Sequence, residues 1–214
     1  MRIGKKELIS IIQKTQPFIA PKIHLEQYCI DAESAVDIIY FAGFEFNDIT
    51  NKIIFDLGSG TGRLSIASAL LNAHIVISID LDWEALLILR KNIQSLDLND
   101  VVFPICSDIH NFEIKKTLLP PNLKITTIMN PPFGVQKRTA DRIFLEKAFS
   151  FSDVIYSVHL ASNKVDKFIL SFIKKFNWTI DYKVPFRIIL EKTFQFHKEK
   201  RKEVDVNIYR FIQN

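Results

Sequence analysis

Asn130-Pro131-Pro132-Phe133 sets an amide, two prolines and an aromatic ring side by side at the end of an apolar run. The chemistry this suits is the handling of an exocyclic amino group on a purine. Such a nitrogen is a poor nucleophile because its lone pair is delocalised into the ring, so a catalyst must hold it where that lone pair is freed. The side-chain oxygen of Asn130 and the carbonyl of Pro131 can accept its two hydrogens. Proline fixes its own φ and restricts the residue before it, which makes a stiff acceptor arm. Phe133 can stack on a base that has left its helix or belongs to a single strand, and Gly134 lets the chain turn away. No general base is required, because the amino group can lose its proton after attack; orientation and charge placement do the main work. An ordinary turn with a buried Phe is the alternative, since Asn-Pro commonly starts turns.

A second cluster bears on what the amino group would attack. Three of the six glycines, Gly58, Gly60 and Gly62, fall directly after the run ending in Asp56-Leu57. Glycine permits positive φ and close approach of backbone to a ligand, so strand, glycine turn and helix together make a nucleotide-binding edge. The pattern is G-x-G-x-G, whereas a dinucleotide loop would read G-x-G-x-x-G. Asp80 closes the next apolar run, where a carboxylate can accept both hydroxyls of a ribose. Asp108 closes the third, where it can accept from an adenine amino group. Each carboxylate alone suits a helix cap equally well, and the glycines alone suit a tight turn; three acidic residues at three successive strand ends fit a shared pocket better. Leu64, Leu81 and Ile109 accompany these positions as expected cofactor contacts. A sulfonium donor, S-adenosylmethionine, is the expected cofactor.

The elements that must position these groups follow from periodicity. Short apolar runs alternate with helical stretches, the pattern of βαβ units and a parallel sheet covered by helices on both faces. Strands are expected over Lys52–Leu57, His74–Asp80, Val101–Ser107, Ile125–Asn130 and Val154–His159, with helices over Arg63–Asn72, Trp83–Ser95, Ala140–Ser150 and Val165–Phe176. Ahead of them, an amphipathic helix is expected from Arg2 to Gln16 and another, capped by Asp31, runs to Phe41. Trp178–Leu190 and Val204–Ile212 leave no room for a crossover helix and read as an antiparallel pair. Their connection, Glu191 to Glu203, is long and basic.

At 214 residues the chain fits one α/β domain with a short addition: residues 1–214, with 1–50 as a helical extension over the cofactor site. A hydrophobic share of 48% and a charged share of 24% are ordinary globular usage and exclude a disordered or fibrous chain. The net charge of +4 leaves room for a local basic face. Cys29 and Cys106 lack partners at zinc-ligand or disulfide spacing and are expected to be reduced core residues, with no metal site. The charged start and the lack of an apolar run of about 20 residues imply a cytoplasmic protein.

With these residues in place, the sequence resembles the methyltransferase-like-five family, the archaeal and eukaryotic adenine-N6 methylases of small-subunit ribosomal RNA. The resemblance begins at Leu25-Glu26-Gln27-Tyr28, runs through Asp56–Gly62, Asn130–Gly134 and Val154–His159, and ends at Phe194–Lys198 and Val204–Phe211. It implies a class I, Rossmann-like methyltransferase fold with a mostly parallel seven-stranded sheet and an antiparallel C-terminal strand pair. It also implies that the Glu-Gln-Tyr segment folds over the cofactor, giving Gln27 and Tyr28 a binding role that spacing alone does not reveal. Cys29-Ile30 stand where the family usually has Pro-Thr, so a threonine contact to the cofactor is missing. A small zinc-containing activator protein covering an apolar edge is the implied partner.

For the substrate, His197-Lys198-Glu199-Lys200-Arg201-Lys202 follows Phe194 and Phe196, and basic residues among aromatics suit phosphate contact and base stacking. A solvated hairpin tip explains the charges equally well. Lys137 and Arg138, just past the Asn-Pro-Pro-Phe motif, would flank a flipped base. The expected reaction is methyl transfer to N6 of an adenine in RNA. The rivals are a protein-glutamine N5 methyltransferase, which uses a related Asn-Pro-Pro-aromatic turn, and a non-catalytic RNA-binding scaffold.

Overall fold

The apolar runs fold as strands β1 (Ile53–Leu57), β2 (Ile75–Asp80), β3 (Val102–Cys106), β4 (Ile125–Met129), β5 (Val154–Leu160), β6 (Trp178–Glu191) and β7 (Arg201–Gln213). The computed structural model describes residues 3–133, 140–191 and 201–214. These strands form one sheet in the order β3-β2-β1-β4-β5-β7-β6. β1 to β5 run parallel, whereas β7 pairs antiparallel with both β5 and β6. The chain builds outward from β1 to β3, then returns to lay β4 on the other side of β1. That reversal makes the crevice at the carboxyl ends of β1 and β4 the place where open α/β sheets bind ligands.

Helices α1 (Lys5–Gln13), α2 (Ala32–Tyr40), α3 (Arg63–Leu70), α4 (Trp83–Ser95), α5 (Ala140–Phe151) and α6 (Asn163–Ile173) cover the sheet. Ile12, Ile38, Ile66 and Leu89 of α1 to α4 join Ile54, Val76 and Ile128 in the core on one face, while Leu145, Phe149 and Phe172 of α5 and α6 join Phe55, Ile155 and Phe211 on the other. Every residue of β1 and β4 is buried, as expected of strands with a helix layer on each side. Among the described residues, no helix is long and apolar enough to cross a membrane.

Local chemistry sets the element ends. Asp31 caps α2 by accepting the Ser34 amide at 2.9 Å, the role its position suggested. α6 starts at Asn163, ahead of the expected Val165, because Ser162 accepts the Val165 amide and caps it. α2 ends at Tyr40, beside the expected Phe41, and a π-helical turn over Phe41–Glu45 follows it; Phe46, just beyond, lies with its ring centre 4.2 Å from the Arg210 guanidinium. Two further expectations are corrected. Arg201 and Lys202, expected in the basic connection, open β7 because pairing with Glu191 and Leu190 extends the hairpin beyond the apolar core. Cys106, expected in the core, is exposed because β3 is an edge strand, while Cys29 is buried.

Candidate functional site

Parallel pairing sets Leu57 beside Met129. The next residues on the two strands, Gly58 and Asn130, therefore leave the sheet side by side. Between them opens a cavity of ≈ 260 Å³ whose walls include the glycine turn, the ends of β2 and β3, and the segment from His24 to Ile30.

The glycine turn is held from beneath. The amides of Gly58 and Ser59 both donate to the Ile79 carbonyl, at 2.8 and 3.0 Å. Gly60 and Gly62 have φ of +54° and +90°, backbone that L side chains rarely adopt. A Cβ at Gly62 would also lie 2.1 Å from the Leu89 side chain, and one at Gly60 2.8 Å from the ring of Phe18. These glycines thus allow α4 and the N-terminal segment to close on the turn.

Of the expected cofactor contacts, Gln27, Tyr28, Gly58, Gly60, Gly62, Leu64, Asp80, Leu81, Asp108, Ile109 and Asn130 line the cavity. Asp56 does not. Its carboxyl is 1% exposed beneath the turn and accepts from Ser65 Oγ at 2.5 Å, with Ser65 linked in turn to Ser78. Burial pushes Asp56 up to about 7, Ser65 partly offsets this, and the nearby Asp80 adds to it. Asp56 is thus a buttress under the turn.

The carboxylate of Asp80 is also raised by burial, against the bonds it accepts from the amides of Asp82 and Gly60. Those bonds measure 2.8 and 2.7 Å. Asp108 accepts the His110 amide at 2.9 Å at the cavity mouth. Gln27 lines the cavity with its polar atoms tied elsewhere: Nε2 donates to Asp82 at 2.7 Å, and Oε1 accepts the Lys22 amide at 2.8 Å. Asp82 also caps α4 and pairs with Lys22 Nζ. Burial alone would raise its pKa, but the bonds from Gln27 and Lys22 hold it below the usual carboxylate range. Gln27 therefore fastens the N-terminal segment over the cavity.

At the motif itself, Asn130 and Pro132 reach the cavity, and Pro131 is buried. Phe133 stacks on Tyr28 with ring centres 5.3 Å apart, and the Tyr28 hydroxyl donates to Asn130 Oδ1 at 3.2 Å. Lys137, Arg138, His197, Lys198 and Lys200 lie outside the described residues, as do the side chains of Arg201 and Lys202. The hairpin root is placed: Val206 pairs with Leu160 at the carboxyl end of β5, and the β6–β7 ladder continues past it to Glu191 and Arg201. The hairpin therefore extends beyond the same sheet edge as Gly58 and Asn130.

Sequence patterning missed several wall residues. Phe18, Ile143 and Phe144 line the cavity, and Phe144 comes to 3.1 Å from where a Cβ of Gly58 would be. Nothing in local spacing pairs position 18 with 60 or 144 with 58. The acidic pair Asp80 and Asp82, flanking one residue at a helix start, was the available signal for Asp82.

The family model for ribosomal protein L11 methyltransferase matches residues 41–116, the glycine-turn half of the sheet. The rRNA N6-adenosine-methyltransferase METTL5 of Danio rerio is 36% identical, with 96% of this chain and 97% of that protein covered. An uncharacterized protein of Methanocaldococcus jannaschii is 39% identical over 97% of this chain and 94% of its own length. Among solved structures, a Pyrococcus horikoshii protein described as a candidate RNA methyltransferase superposes with a TM-score of 0.87 at 36% identity, covering 100% of this chain and 99% of that one.

Proposed function

The chain belongs to the rRNA N6-adenosine-methyltransferase family, and on that premise we propose that it transfers a methyl group from S-adenosylmethionine to N6 of an adenine in small-subunit ribosomal RNA. The observation that carries this reading is the parallel register of β1 and β4, which sets Asn130 beside the glycine turn on one cavity.

The residues present fit the cofactor. Asp80 and Asp108 line a cavity whose apolar walls include Phe18, Ile109 and Phe144, which suits a nucleoside with polar ribose and amino groups. The buried Ser59 hydroxyl on the turn has no partner among the described residues and is available to a ligand. Asp80 would hold the ribose hydroxyls and Asp108 the adenine amino group. S-adenosylmethionine, when bound, supplies an activated methyl carbon. Asn130 Oδ1 and the Pro131 carbonyl accept the two hydrogens of the target amino group and free its lone pair, Phe133 stacks on the base, and the methylated nitrogen releases its extra proton afterwards.

The partner reading rests on the free edge of β3. Phe103, Ile105, Leu81, Trp83 and Leu87 are exposed there, beside a strand that has β2 on one side only among the described residues. Such an edge of unpaired backbone and apolar side chains suits a covering protein, and the small zinc-containing activator is the proposed occupant.

Incubation with methyl-labelled S-adenosylmethionine and small ribosomal subunits, followed by nucleoside analysis, tests the reaction. Label in N6-methyladenosine is expected; label in protein, or in another nucleoside, would overturn it.

A further inference from the structure

We propose that Tyr28 is a positioning residue that sets the amide of Asn130 for methyl transfer. The inference rests on the role given to Asn130 above. The Tyr28 hydroxyl donates to Asn130 Oδ1, the same oxygen that is to accept a hydrogen of the target amine. An amide oxygen has two lone pairs, so one can take the phenol while the other faces the base. With the phenol proton on one side, a turned amide would present its NH2 to a donor and strand that proton, so the acceptor face is kept toward the substrate. Burial raises the phenol well above its usual pKa, with Glu26 adding to this and the Asn130 bond partly offsetting it, which keeps it protonated. The Tyr28 ring also braces Phe133 from one side.

A competing account would make Tyr28 a plug that imitates the base against Asn130 and Phe133 and must swing out. The anchors on both flanks oppose that. On one side Gln27 is tied to Asp82 and to the Lys22 amide. On the other, Arg63 Nη1 donates to the Ile30 carbonyl at 2.6 Å. Asp31 exchanges bonds with Ile189 of β6, at 3.2 Å to its carbonyl and 3.0 Å from its amide. A side chain bracketed within three residues on each side is built to stay in place.

Tyr28→Phe keeps the ring and removes only the hydroxyl. Steady-state methylation of small-subunit ribosomal RNA at saturating S-adenosylmethionine should show kcat lowered roughly five- to tenfold, the worth of one hydrogen bond of about 1–1.4 kcal/mol, with RNA KM unchanged. In single-turnover assays, adding Tyr28→Phe to Asn130→Ala should cost nothing further, because the phenol acts through that amide. Full or increased kcat in Tyr28→Phe, or an undiminished loss in the Asn130→Ala background, would overturn the proposal. Near-normal turnover of Asn130→Ala alone would instead overturn the reading of the reaction.

Discussion

Asp80 accepts the Gly60 amide at 2.7 Å, so a carboxylate facing the cavity also fastens the glycine turn of the neighbouring strand to β2. Ligand contact and turn geometry therefore share one side chain. Asp80→Ala removes both and should raise the S-adenosylmethionine dissociation constant about ten- to a hundredfold, given roughly 1.5–3 kcal/mol for hydrogen bonds to a charged group. Calorimetry with the cofactor checks this, and an unchanged constant would remove Asp80 from the site.

Asp56 yields a prediction about stability. Its folded pKa of about 7 lies above the ordinary carboxyl value, so between roughly pH 4 and pH 7 the folded state holds a proton that the unfolded chain releases. Stability from this group is fully present below the unfolded value and declines as pH rises through the folded one. Asp56→Asn keeps a neutral side chain of the same shape and should abolish that decline. Melting curves at pH 5, 6, 7 and 8 should show the variant gaining on the parent as pH rises; parallel profiles would contradict the buried-acid account.

Much of this was readable in advance. The alternation of apolar runs with helical stretches gave every strand and α-helix to within a few residues, since continuous runs such as Ile53–Leu57 are what a doubly covered strand requires. The glycine turn and Asn130 were legible because their residue types restrict the backbone. Asp56 was misplaced because a strand-end acid reads alike whether it faces a ligand or, as here, the helix behind it at Ser65. Phe18 and Phe144 were invisible because their partners, Gly60 and Gly58, are brought to them only by the finished fold.

The edge of β3 gives a binding prediction. Phe103 and Ile105 alternate with Pro104 on a strand whose outer side is free among the described residues. Phe103→Asp should leave S-adenosylmethionine binding intact, because the residue is outside the cavity lining, while abolishing co-purification with the proposed zinc-containing activator when the two are co-expressed. A variant that still co-purifies in full would move the partner elsewhere.

The last prediction concerns the hairpin. Its ladder runs past the end of β5 on the side of the sheet that carries Gly58 and Asn130, and Asp31 joins Ile189 near its end to the segment carrying Tyr28. On the proposed function, the cations of the β6–β7 connection would contact RNA phosphates. Exchanging Lys198, Lys200, Arg201 and Lys202 together for glutamine should weaken RNA binding at low salt and flatten its salt dependence. If all four contact phosphates of a single strand, the log–log slope should fall by about 3. The folded core should be unaffected, since the cavity is lined by other residues, so S-adenosylmethionine affinity serves as the internal control. Titrating fluorescent ribosomal RNA between low and moderate salt measures the slope directly, and a slope equal to the parent's would assign these charges to solvent.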